Sequence, residues 1–262
     1  MDNRMLTFVK RWSLFLTSVW LIAFATNSVG ETFVQATVES RVMLAFHANA
    51  GAIQHLIPSP WQLNTVAKGP MQGTNFFVVL GDRAIDQDPD GKPRAGGVSR
   101  FTAFAAPATN PDTGRSGIFV FRIFTVNSEE IPGPYKCNVL SDISRKYFYS
   151  GGNMEFGIGE EKWIVDAKSQ ADIELTFRYQ KSLPFRPDRE LNIYSAVEPT
   201  FYRIYRVDQG TDIVMSKPKN IDRLLGYEAR INVPEFKSVL DGTEELISVA
   251  VLPWYVRKVF LP

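Results

Sequence analysis

The sequence has 262 residues and a formal net charge of +1, room for one large domain or two small ones. Apolar residues make up 45% and charged residues 22%, ordinary values for a soluble globular protein. This balance gives no electrostatic reason to expect nucleic acid as a partner, and there is no polybasic patch to hold the chain on anionic lipid. A single cysteine, Cys137, excludes an internal disulfide. Burial as a small hydrophobe, an intermolecular bridge or a reactive thiol are its three readings.

In chain order, residues 1–25 read as a secretory signal peptide. Arg4, Lys10 and Arg11 form a positive start, an apolar run from Trp12 to Ala25 follows, and Ala23-Phe24-Ala25 has the small-x-small form of a cleavage site. A cut after Gly30 is a second option. An uncleaved anchor is the other reading, but the run falls short of the roughly 20 residues that span a bilayer. The net +2 of this leader leaves −1 for the rest of the chain. The expected product, residues 26–262, is secreted or periplasmic, with no contact to membrane once the leader is removed.

Glu31 to Phe46 reads as strand, and Ala50 to Ile57 as a short helix stopped by Pro58 and Pro60. Thr74 to Leu80 is a strand, Gly81 to Gly97 a polar stretch full of turn formers. Val98 to Ala106 and Ile118 to Val126 are strands joined through Pro111-Asp-Thr-Gly114. Further strands are predicted at Lys146 to Tyr149, Lys162 to Val165, Asp172 to Tyr179, Phe201 to Val207, Gly226 to Val233 and Leu246 to Leu252. In Asp172 to Tyr179 the period of two puts Ile173, Leu175, Phe177 and Tyr179 on one face. Pro234 to Leu240 suits a short helix with proline in its first turn. The tail from Trp254 to Phe260 fits a core strand or a surface packed on another subunit. Many short strands and few helices predict a mainly β (α+β) fold, a closed or partly open antiparallel β-barrel with a ligand cavity.

Few motifs carry chemistry. Asp86-Gln-Asp-Pro-Asp90-Gly91 imitates a calcium loop, but its twelfth position is Gly97, where a bidentate glutamate is needed. Gly157-Ile-Gly159 is too short for a dinucleotide fingerprint. His47 and His55, the only histidines, lack the spacing of a metal site. No cofactor and no metal is expected. The most informative segment runs from Glu129 to Asn138, where two prolines fix the backbone ahead of Lys136. Lys136 is either a solvated loop lysine or an amine held in an apolar pocket. At pH 7 a free lysine is neutral only about 0.04% of the time. Desolvation or a neighbouring cation raises that fraction and makes the amine a nucleophile.

The chain resembles the acetoacetate decarboxylase superfamily. Residues Ala45 to Pro60 are similar to the family's strand and short helix with a closing Pro-x-Pro stop. Glu129, then Pro134-Tyr135-Lys136, resembles its glutamate, spacer and Pro-Lys-Lys. Ser248 to Val256 is similar to its closing Leu-Pro strand. The resemblance implies a β-rich barrel with an internal apolar pocket, and a lysine that condenses with a β-keto acid. The resulting protonated imine accepts the electrons released as carbon dioxide leaves. The family's nucleophile is the first lysine of the pair, and Tyr135 stands there in this chain. His47 stands where the decarboxylases carry an arginine, and the stretch matching their central glutamate reads Val98-Ser-Arg100-Phe.

Three functions follow. In an exported lyase acting on a small keto acid, Lys136 forms the imine, Tyr135 or His47 moves protons, and Arg100 holds the carboxylate near Glu129. A non-catalytic protein binding a keto acid or related apolar ligand keeps the pocket without the chemistry. A third is another imine-forming lyase or hydratase. Relatives assemble, so a homo-oligomer is a further expectation.

Overall fold

Long strands dominate, because β-branched and aromatic residues alternate with polar ones over most of the chain. The computed structural model describes residues 30–94, 99–131, 133–152 and 156–262. The expected signal peptide lies outside the described residues, as do Gly97 and Val98. Residues Glu31–Pro262 form one compact unit, and no helix among the described residues is long and apolar enough to cross a membrane.

The strands in chain order are β1 (Thr32–His47), β2 (Gln62–Leu63), β3 (Phe76–Gln87), β4 (Ser99–Thr109), β5 (Ser116–Thr125), β6 (Asn138–Leu140), β7 (Asp142–Ser150), β8 (Ile158–Asp166), β9 (Asp172–Gln180), β10 (Asp188–Ser195), β11 (Tyr202–Ser216), β12 (Ile221–Asp222), β13 (Leu224–Asn232) and β14 (Glu245–Leu261). The one α-helix among the described residues, α1 (Ala50–Leu56), starts at Asn49, whose side chain accepts from the Ala52 amide, and ends at Ile57 before Pro58.

Seven strands close into a ring, β4-β3-β1-β14-β11-β10-β5 and back to β4. Six of the seven pairings are antiparallel, in keeping with the expected mainly β fold, and one, between β5 and β10, is parallel. A second sheet, β13-β9-β8-β7, is antiparallel. Its apolar face carries Ile173, Leu175, Phe177 and Tyr179, all essentially without exposure. These residues join Trp163 and Val165 against Val42, Leu44, Phe76, Val78 and Phe104 on the outer face of the ring. Phe236, in the 3-10 turn Pro234–Phe236, stacks on Phe104 at 4.7 Å. The predicted helix there is therefore a single tight turn.

β3, β11 and β14 run well past their predicted ends, the first two through polar residues that resemble a loop. β3 continues past Gly81-Asp82 to Gln87 because Arg83 and Asp86 find buried ionic partners. β11 continues to Ser216, with Gln209 bonded to Thr211 at 2.7 Å and Asp212 accepting from the Ser182 amide at 3.0 Å. β14 continues past Pro253 to Leu261. The missing N–H is accommodated where the register shifts, between Arg41↔Leu252 and Glu39↔Tyr255. The tail is thus a core strand of the ring. β10 opens on Asp-Arg-Glu with no alternation to betray it.

Candidate functional site

The ring encloses a cavity of about 130 Å³, room for about four waters or one small organic acid. Period-two alternation decides what faces it. On β4, Phe101, Ala103 and Ala105 point in, while Phe104, Ala106 and Ala108 join the core between ring and second sheet. Phe101 lies flat over Gly81, where a Cβ would come within 2.3 Å of its ring. Ile118, Val120, Ile123 and Ile193 complete an apolar wall.

The opposite wall is charged. Arg41, Arg83, Arg203 and Arg257 all line the cavity, beside two buried carboxylates, Glu39 and Asp86. The Glu39 carboxylate is saturated. Its Oε1 accepts from Thr37 at 3.0 Å and pairs with Arg83 and Arg257 at 3.1 Å, and its Oε2 accepts from Arg41 Nε at 2.7 Å. Asp86 accepts from Gln35 at 2.7 Å and from Arg83 at 3.2 Å. Burial by itself would raise the Glu39 carboxyl, but Arg41, Arg257 and Arg83 hold it well below the usual carboxylate range.

Arg203 stands apart from these pairs: among the described residues it meets no carboxylate, and its Nη1 donates to the neutral Gln35 Oε1 at 3.0 Å. Burial pushes its guanidinium below the ordinary arginine value. The buried Nε atoms of Arg203 and Arg257 have no hydrogen-bond partner among the described residues. Desolvated donors without an acceptor are costly, and an incoming anion would relieve them.

Of the five residues singled out from the sequence, one reaches the cavity. Tyr135 is buried, its hydroxyl donates to the Ile193 carbonyl at 2.6 Å, and Phe201 meets its ring edge-on at 5.4 Å. Burial, and then the neighbouring Tyr205, push its phenol well up. Lys136, the next residue, points outward. Its side chain is 68% exposed and its Nζ lies 3.9 Å from Glu198. Arg100 has the opposite parity to Phe101 and pairs with Asp82 at 3.3 Å outside the cavity. Glu129 sits exposed on the 3-10 turn Ser128–Glu130. His47 ends β1, six residues beyond Arg41 and so roughly 20 Å along the strand, with its Nδ1 2.9 Å from the Gly73 carbonyl.

The expected grouping of Lys136, Tyr135, His47, Arg100 and Glu129 is therefore not brought together. Arginines of β1, β3, β11 and β14 occupy the place expected of Arg100. Sequence reading missed them because each looks like a surface charge in a half-polar strand. The available signal was position parity: Gln35, Glu39 and Arg41 share the inward face of β1. Cys137 is buried, and burial pushes its thiol up to about 11.

Ring, second sheet and arginine-walled cavity define a β-rich protein with an internal pocket. No protein-family model matches the sequence, and no curated protein matches it. Solved structures do. The chain is similar to an acetoacetate decarboxylase-like enzyme from Sphingomonas wittichii RW1, at 13% identity and a TM-score of 0.52, covering 92% of this chain and 96% of that one. It is also similar to the enduracididine biosynthesis enzyme MppR complexed with pyruvate, at 9% identity and a TM-score of 0.54, covering 89% and 91%. The chain shares its overall fold with these two structures.

Proposed function

We propose that the ring cavity binds a small carboxylic or keto acid non-covalently, and that the chain is a binding protein rather than a Schiff-base enzyme. The observation that carries this reading is the exchange at the resembled lysine pair. Tyr135, at the nucleophile's position, fills the cavity wall, and Lys136 turns to solvent. A phenol cannot condense with a ketone to form an imine. Glu39 is fully occupied by its own partners and offers no lone pair for general-base work.

The remaining chemistry suits capture. The Arg203 guanidinium, which meets no carboxylate among the described residues, favours an anion, and the apolar wall of Phe101, Val120 and Ile123 favours a short hydrocarbon or keto tail. A structure of similar fold holds pyruvate, an acid of this size. The lyase reading needs Lys136 to reverse direction and give up solvent for the cavity.

Calorimetric titration with pyruvate, acetoacetate and 2-oxobutanoate, followed by borohydride and intact mass, separates the two. Saturable binding with no gain in mass is expected. Tyr135→Lys should acquire a reducible adduct, because desolvation and nearby guanidinium groups would keep the new amine neutral. A wild-type adduct that disappears in Lys136→Ala would overturn the binding reading and establish the lyase.

A further inference from the structure

A second recess, independent of the ring cavity, opens between the four-stranded sheet and the Pro253 bend of β14. It measures about 500 Å³. Tyr147, Tyr149, Phe156, Tyr179 and Trp254 line it. All except Tyr179 are substantially exposed, an unusual concentration of aromatic surface for one place. Trp254 is held in position. It lies directly across the strands from Gly210, where a Cβ would approach its ring to 2.4 Å, so the indole rests flat on bare backbone.

The polar groups narrow the ligand. Arg145 and Lys181 face Glu161 and Asp212, a balanced set that selects neither anion nor cation. The Glu161 carboxylate is filled by Arg145 at 3.0 Å to each oxygen and by the Trp163 indole at 2.8 Å. An outside cation is further disfavoured because Lys181 Nζ already sits 4.3 Å over the Tyr149 ring. One group is left over. The Tyr179 hydroxyl is fully buried and has no hydrogen-bond partner among the described residues. A buried hydroxyl that can both donate and accept is the complement of another hydroxyl.

Flat aromatic faces, zero net charge and a waiting hydroxyl together fit a neutral ring that is apolar on its faces and hydroxylated at its rim. We propose that this cleft is a saccharide site, in which a pyranose stacks on Trp254 beside the Tyr149 rim and one of its hydroxyls bonds to Tyr179.

The test is titration of the intact protein with glucose, galactose, N-acetylglucosamine, maltose and cellobiose, followed by tryptophan fluorescence and calorimetry. At least one sugar should bind saturably. Trp254→Ala should abolish that binding, and Tyr149→Ala, an exposed change that leaves the core untouched, should weaken it. Tyr179→Phe should weaken it about 5- to 10-fold with the melting temperature unchanged or raised. No saturable binding of any of the five at millimolar concentration overturns the proposal, as does binding indifferent to Tyr149→Ala and Tyr179→Phe. So does a preference for a charged probe such as choline or benzoate, displaced by none of the sugars.

Discussion

The ring cavity and the aromatic cleft are built around the same device with opposite balances. Each has a completely buried glutamate, Glu39 in one and Glu161 in the other, held by arginine. In the cavity three guanidinium groups converge on Glu39 and a fourth, on Arg203, meets no carboxylate among the described residues. At the cleft Arg145 alone clasps Glu161, and the charges cancel. The lesson is that a buried ion pair says little about function by itself. What it leaves uncompensated says more: in the cavity that is the Arg203 guanidinium, and at the cleft it is the Tyr179 hydroxyl.

The largest expected effect is on stability. Glu39→Gln leaves three arginines gathered around a neutral amide. Breaking a buried ion pair in this way costs about 3–5 kcal/mol, read as a shift of the urea midpoint. Glu161→Gln frees only one guanidinium, which keeps Asp82 as a partner at 3.3 Å, and should cost less. Equal losses would break the comparison.

The pH dependence should follow the same carboxyl. The folded state holds Glu39 well below its ordinary value of 4.5, so on acidification the unfolded chain takes up the proton first. The stability contributed by Glu39 is complete above about pH 4.5 and shrinks as the pH falls below it. Thermal melts of wild type and Glu39→Gln should therefore converge on the acid side. Parallel melts down to pH 3 would show that another group controls the acid limb.

Arg203→Leu should behave in the opposite sense to Glu39→Gln. It removes a desolvated charge that meets no carboxylate among the described residues, so the melting temperature should hold or rise. Affinity for a keto acid should fall about 10- to 100-fold with the lost charge-assisted bond. The smallest effect concerns Cys137, whose thiol is pushed up to about 11 by burial. A thiol-disulfide reagent at pH 8 should label it only in denaturant. Rapid labelling of the native protein would place the thiol at an accessible rim.

Local pattern made much of the fold legible. The helix at Ala50–Leu56 was readable because two prolines stop it, and β9 because its alternation is unbroken. Of the cavity, Tyr135 alone was legible, and only through its place in a motif. Arg41, Arg83, Arg203 and Arg257 were not, since a charged residue on a strand looks the same whether its face meets water or a ring interior.

Alternation, proline stops and turn residues act over a few neighbours, so the chain alone determined that this is a strand-rich protein with little helix. The closing of seven strands on themselves is a different matter. It converts alternate side chains of all seven strands into one wall and turns Lys136 away from it. Only tertiary structure could decide that, because the field at a buried carboxylate is the sum over groups far apart in sequence, from Glu39 to Arg257, and no short window contains them.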